Sequence, residues 1–206
     1  MKAYQVLIRL EGLDVWRRVA IPADITFKAL HRVIQYSMGW YDSHLYQFEL
    51  ENNLVLVDTK EEKEEYEFYN DPNMPTFGGG KRILKTYRLS KSVKVDKYLE
   101  VGKPIEYVYD MGDNWEHTII LEKVIEDYPN VFPVCLEGSG ACPPEDCGGV
   151  GGYLDLLDII EDPDHPMYDE IMEWLEGAEF NDEFDLKETN WWMENDLKLK
   201  RVKKIG

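Results

Sequence analysis

The run Tyr107-Val-Tyr-Asp-Met-Gly-Asp-Asn-Trp-Glu-His117 places two carboxylates (Asp110 and Asp113), the indole of Trp115 and the imidazole of His117 within one short stretch. A second run, Pro143-Pro-Glu-Asp-Cys-Gly-Gly149, holds Glu145 and Asp146 between two stiff prolines and two free glycines. A carboxylate beside an imidazole can orient a histidine for acid–base work or bind a metal. Carboxylates gathered from two turns can build a hard-cation site of the kind used in phosphoryl chemistry. Each run also has a plainer reading. Asp and Asn side chains stabilise turns by bonding to backbone N–H groups, a strand buries its Trp, and a buried His finds a neighbour. The candidate binding residues are Asp110, Asp113, Trp115, His117, Glu145 and Asp146. None of them is assigned a catalytic role. The two turns are expected to touch and form one site.

Side chains alternate along a strand, so Trp115 and His117 share a face. An even connecting loop puts Asp110 on that face, and an odd one puts it with Glu116. No metal or other cofactor is expected. The alternative is zinc held by Cys135, Cys142, Cys147 and His117, a legitimate tetrahedral Cys3His set that lacks the Cys-x2-Cys knuckle. His31 and His165 read as surface or packing residues, and Trp191-Trp192 as a helix-packing anchor. No Walker loop, Rossmann glycine run, Gly-x-Ser-x-Gly or His-Glu-x-x-His occurs.

The elements that must position these groups follow from periodicity. Residues 3–10 alternate as a strand, residues 11–14 form a turn, and 15–21 form a second strand closed by Pro22. Thr26 caps a helix over 27–38 that stops at Gly39. Residues 44–51 alternate again. Residues 58–82 combine a charge run with Pro and Gly punctuation and read as a solvated excursion within one domain spanning 1–206. A hairpin follows, 104–110 against 115–124, then a Cys/Pro/Gly loop over 129–152. Three helices finish the chain, over about 153–161, 167–176 and 186–200, with Asp185 and Glu188 at capping-box spacing. The predicted fold is α+β, with a mostly antiparallel sheet contributed by both halves and helices packed on it.

The formal net charge is −18, from 41 acidic against 23 basic side chains. Such a surface repels phosphate backbones and anionic lipids, so neither nucleic acid nor membrane is an expected partner. The basic stretch Lys198–Lys204 reads as a helix C-terminus whose cations complement the dipole. Arg9 and Glu11 interrupt any signal-peptide core, and three cysteines make no disulfide framework. The expected location is the cytoplasm.

Several motifs, in order, carry a resemblance. They are Trp16-Arg-Arg-Val19, Ile21-Pro22, Thr26-Phe27, Leu30-His31, Gly39-Trp40, His44-Leu-Tyr-Gln-Phe48, the Tyr107–His117 run, Pro143–Gly149 and Gly152-Tyr153. Together they resemble the plasmid pRiA4b ORF-3-like family over nearly the whole chain. Met111 stands where that family usually has Phe. The resemblance implies a shared fold and brings no activity with it. Some members are labelled transposon resolvases, but the first serine here is Ser37, the only early arginine cluster is Arg17-Arg18, and the tyrosines sit in acidic or strand contexts, so the residues do not support that label. The expected function is a non-catalytic binding or interaction module for an unknown protein or small molecule. The alternatives are a metal-dependent hydrolase built on the carboxylates, or a small zinc-stabilised domain.

Overall fold

The computed structural model describes residues 1–73, 83–178 and 180–197. Strands β1 (Ala3–Leu10) and β2 (Val15–Pro22) pair antiparallel. In β1 the alternate residues Val6, Ile8 and Leu10 are buried, as a half-covered sheet requires. Helix α1 (Phe27–Met38) starts where the Thr26 hydroxyl accepts from the Ala29 N–H, and it ends at Gly39 in a left-handed conformation, φ 113°. Its face of Phe27, Leu30, Val33 and Ile34 is buried in the main core, with Phe27 edge-on to Phe48 at 5.0 Å.

Strands β3 (Tyr46–Leu50), β4 (Leu54–Val57) and β5 (Thr86–Leu89) form one flank of the sheet, with helix α2 (Lys60–Tyr69) between β4 and β5. Strands β6 (Pro104–Tyr109), β7 (Trp115–Ile125) and β8 (Val134–Ser139) come from the second half, followed by helices α3 (Gly149–Glu161), α4 (Tyr168–Gly177) and α5 (Leu186–Asn195). The sheet order is β5-β4-β3-β6-β7-β1-β2-β8, antiparallel except where β4 meets β5. The β6–β7 hairpin sits in the middle, between β3 and β1. The architecture is therefore α+β with a mostly antiparallel sheet drawn from both halves.

Three segments depart from the sequence-based expectation. The charge run after Asp58 is a largely exposed helix, where the sequence suggests only an irregular solvated excursion. A capping box joins Thr59 to Glu62, and Lys60–Glu64 and Lys63–Glu67 pair one turn apart. Residues 74–82 lie outside the described residues. The 129–152 loop contains strand β8, and α3 begins at Gly149, before the expected position. Gly149 and Gly152 open this helix because the space around them is taken. A Cβ on Gly149 would meet the Asp113 carbonyl at 2.5 Å, and one on Gly152 the Cys147 carbonyl at 1.9 Å. Helix α5 ends at Asn195, and the basic stretch Lys198–Lys204 lies outside the described residues.

Arg17 ties the second half to the first, and Asn190 ties α5 to the sheet edge. The buried Arg17 guanidinium donates to the carbonyls of Ser37, Ser139, Gly140 and Trp16, and it lies over the Phe184 ring at 3.9 Å. Asn190 on α5 treats edge strand β8 as a neighbouring strand would. Its Oδ1 accepts from the Cys135 N–H at 2.9 Å, and its Nδ2 donates to the Cys135 carbonyl at 2.8 Å. Asn190→Ala is expected to lower stability by about 1–3 kcal/mol, because both Cys135 backbone groups lose their partner in a half-buried place. Urea unfolding reads the loss, and hydrogen exchange at the Cys135 amide should rise with it. An amide that stays equally protected would show that α5 covers the edge without this pairing.

Candidate functional site

The β6–β7 hairpin tip determines where the acids go. Tyr109 pairs with Trp115, so residues 110–114 form the connection. This odd loop should send Asp110 to the outer face with Glu116, yet Asp110 is only 6% exposed. The strand has ended by then. Asp110 adopts φ 55° and Asn114 φ 56°, in the left-handed region, which turns Asp110 out of the alternation. The turn closes through the Asn114 N–H to the Asp110 carbonyl at 2.7 Å and the Gly112 N–H to Asp110 Oδ1 at 2.8 Å. Asp110 Oδ2 is left to face the next segment.

That segment is the stretch from Trp40 to Leu45, tied down residue by residue. Tyr46 pairs with Tyr109, so the chain entering β3 runs beside the hairpin tip. The Asp110 N–H donates to the Leu45 carbonyl at 2.9 Å, and the Ser43 N–H donates to Tyr109 Oη at 3.0 Å. Asp42 also has φ 58° and accepts from His31 Nε2 at 2.7 Å. His31 is buried, stacked on Tyr46 at 3.6 Å, and its Nδ1 lies 2.8 Å from Tyr107 Oη. An Nε2–H donating to Asp42 and an Nδ1 accepting from Tyr107 satisfy both contacts with a neutral ring. Burial lowers the His31 pKa in the same sense. His31 is thus a packing residue, as expected, with both ring nitrogens engaged. It orders the stretch that presents His44.

The Pro-Pro-Glu-Asp loop closes the third side. The Trp40 indole N–H donates to the Pro143 carbonyl at 2.9 Å. Glu145 Oε1 accepts from Tyr109 Oη at 2.8 Å and from the Tyr41 N–H at 3.1 Å. The Gly148 N–H donates to Asp113 Oδ2 at 3.1 Å. Hairpin tip and loop therefore touch, and Asp146, with φ 59°, lies against the tip.

His44 Nε2 lies 3.2 Å from Asp146 Oδ1, 3.5 Å from Asp110 Oδ2 and 3.7 Å from Glu145 Oε2. Despite that company, His44 Nε2 and Glu145 Oε2 are buried atoms with no hydrogen-bond partner. Among the described residues, His44, Asp110 and Asp146 form a group whose ligand atoms all lie within 4.8 Å of one another. Burial holds the Glu145 carboxyl above its ordinary value, against the Tyr109 hydrogen bond that lowers it.

The six candidate residues divide. Asp110, Glu145 and Asp146 converge, and Asp113 ties the tip to the start of α3. Trp115 and His117 share a face as expected, but it is the core face, where His117 meets Trp40 edge-on at 5.4 Å. The thiols of Cys135, Cys142 and Cys147 form no such group with His117. His117 and Cys135 are strand residues in β7 and β8, and burial pushes Cys135 up to about 11 and Cys147 up to about 12. His44 was missed. It lies in a recognisable motif, but its nearness to Asp110 exists only once β3 and β6 are paired.

The family described as plasmid pRiA4b ORF-3-like protein matches residues 2–190. The uncharacterized protein y4hQ of Sinorhizobium fredii is 33% identical over 168 residues, covering 81% of this chain and 76% of its own. The crystal structure of a protein of unknown function, MM3350 from Methanosarcina mazei Go1, superposes with a TM-score of 0.72 at 30% identity. That match covers 90% of this chain and 96% of the other.

Proposed function

The chain belongs to the plasmid pRiA4b ORF-3-like family, and for this member we propose a binding module built around one divalent cation held by His44, Asp110, Asp146 and Glu145. The observation that carries this reading is the pair of buried, unpartnered atoms, His44 Nε2 and Glu145 Oε2, facing each other among carboxylates. A proton on Nε2 would serve one carboxylate, and none of the three is aligned to accept it. A cation among them serves all four side chains. Ligand atoms each about 2.1 Å from a metal, at tetrahedral or octahedral angles, lie roughly 3.0–3.4 Å apart. The separations of 3.2, 3.5 and 3.7 Å from His44 Nε2 are close to that range. One imidazole with several carboxylates suits Mn²⁺, Fe²⁺ or Zn²⁺ better than Ca²⁺, which prefers oxygen alone.

The frame around the site is held by hydrogen bonds within the protein, so the cation is a ligand of a preformed site and not the cause of folding. Chelator-stripped protein titrated with Mn²⁺ or Zn²⁺ by calorimetry is expected to take up one ion per chain. His44→Ala and Asp146→Asn should each weaken uptake by about a hundredfold while leaving the far-UV spectrum unchanged. Absence of stoichiometric uptake, or equal affinity in these variants, would remove the proposal.

A second reading, metal-dependent hydrolysis, draws on one further observation. Glu145 Oε2 has no partner and sits beside the other three ligands, where a base for a metal-bound water would stand. Turnover of a phosphodiester by the Mn²⁺-loaded protein, lost in Glu145→Gln with the metal retained, would favour this reading over binding alone.

A further inference from the structure

A cleft of about 1260 Å³ opens beside the proposed cation site, between the Trp40–Ser43 stretch and helices α4 and α5. It is larger than the roughly 300–1,000 Å³ that a drug-sized molecule fills. Its lining combines two properties. Large apolar side chains stay open there, with Trp174 37%, Trp192 45% and Tyr41 64% exposed. Around them stand eight carboxylates against two guanidinium groups. Five of the acids, Glu173, Glu183, Asp185, Glu188 and Asp196, lie on or next to α4 and α5 and away from the cation site. Of the two arginines, Arg17 is committed to four backbone carbonyls and the Phe184 ring, which leaves its charge little reach into the cleft.

We infer that this cleft is a docking surface for an extended basic peptide segment of a partner protein, with Lys or Arg side chains interleaved with apolar ones. Charge complementarity selects a cationic occupant. The open indoles add faces on which an ammonium or guanidinium group is attracted, and apolar area that gains by being covered. A compact polyamine matches the charge but leaves the apolar lining wet. A small aromatic cation fills only part of the volume. The inference stands on the cleft and not on the cation site, so loss of metal binding in His44→Ala leaves it untouched.

The test uses the full chain and a capped nonapeptide alternating lysine and leucine, followed by tryptophan fluorescence and calorimetry near physiological salt. Saturable one-to-one binding is expected. The triple variant Glu173→Gln, Glu183→Gln, Glu188→Gln should weaken it by about tenfold or more. A control with the same charge change on α2, Glu61→Gln, Glu64→Gln, Glu65→Gln, should stay within about twofold, because those charges are screened from the cleft. Equal weakening in both variants would reduce the effect to net charge and overturn the site. Spermine binding as tightly as the peptide would overturn the peptide assignment. So would a rise in affinity of about tenfold on removal of residues 198–206, which would make the chain's own basic tail the occupant.

Discussion

Arg17→Met is expected to lower the unfolding free energy by about 3 kcal/mol or more. Arg17 is only 1% exposed, and among the described residues its hydrogen-bond partners are all backbone carbonyls. Burial alone holds its pKa below the ordinary value, so the position of this charge is costly. Four carbonyls offset that cost: Ser37 near the end of α1, Trp16 in β2, Ser139 in β8 and Gly140 just beyond it. Methionine fills the volume but leaves those acceptors without a donor, and each buried orphan costs about 1–3 kcal/mol. Relief from desolvating the guanidinium returns part of this, which keeps the estimate near the lower end of the sum. Arg17→Lys should be nearly as damaging. An ammonium is a point charge and cannot span acceptors lying on three sides as a planar fork does. Urea unfolding of both variants decides the matter. Full stability in Arg17→Lys would show that the fold requires a charge there and not the fork.

The parts of this architecture visible in the chain are the ones encoded locally. Alternation in residues 3–10 and 15–21, the Thr26 cap and the Gly39 stop define their elements within a few residues of themselves. The acids of the site were legible for a similar reason. An Asp in a Gly-rich turn, or between Pro-Pro and Gly-Gly, stands out as a residue with a task. Helix α2 was hidden because its first six residues, Lys60–Glu65, are all charged, and its capping box and ion pairs act without an apolar stripe. His44 was hidden because the property that matters, proximity to Asp110, is created by pairing Tyr46 with Tyr109. No local pattern expresses that register. His117 misled in the opposite sense. Its alternation with Trp115 was read correctly, but alternation specifies a shared face and not whether that face meets solvent. The β6–β7 hairpin lies in the middle of the sheet, so the shared face is the core.

That burial makes His117 the source of a stability change with pH. Its ring is 2% exposed, packed by Trp40 and Tyr107, and its Nδ1–H donates to the Trp115 carbonyl. Burial lowers its pKa from 6.5 to about 4, and the hydrogen bond to the Trp115 carbonyl recovers only part of the shift. The folded value therefore lies below the unfolded one. Between about pH 6.5 and pH 4 the unfolded chain binds a proton at this position that the folded chain refuses, so stability falls as pH falls through that window. Above it the ring is neutral in both states and contributes no slope, and below it both states are protonated and the slope ends. The full loss is on the order of 3 kcal/mol. His31 is shifted in the same direction by burial, whereas the raised carboxyl of Glu145 acts oppositely, so the wild-type curve is a sum. The His117 contribution is isolated by difference with His117→Phe, which keeps an aromatic ring in the core and removes the titrating nitrogens. The variant loses the bond to the Trp115 carbonyl and should be less stable at pH 8. Its disadvantage should shrink steadily as pH is lowered from 6.5 to 4. Urea midpoints at half-unit steps read this directly. Parallel curves for the two proteins would mean that the ring takes up its proton as readily folded as unfolded, and that the pocket between Trp40 and Tyr107 admits the charge.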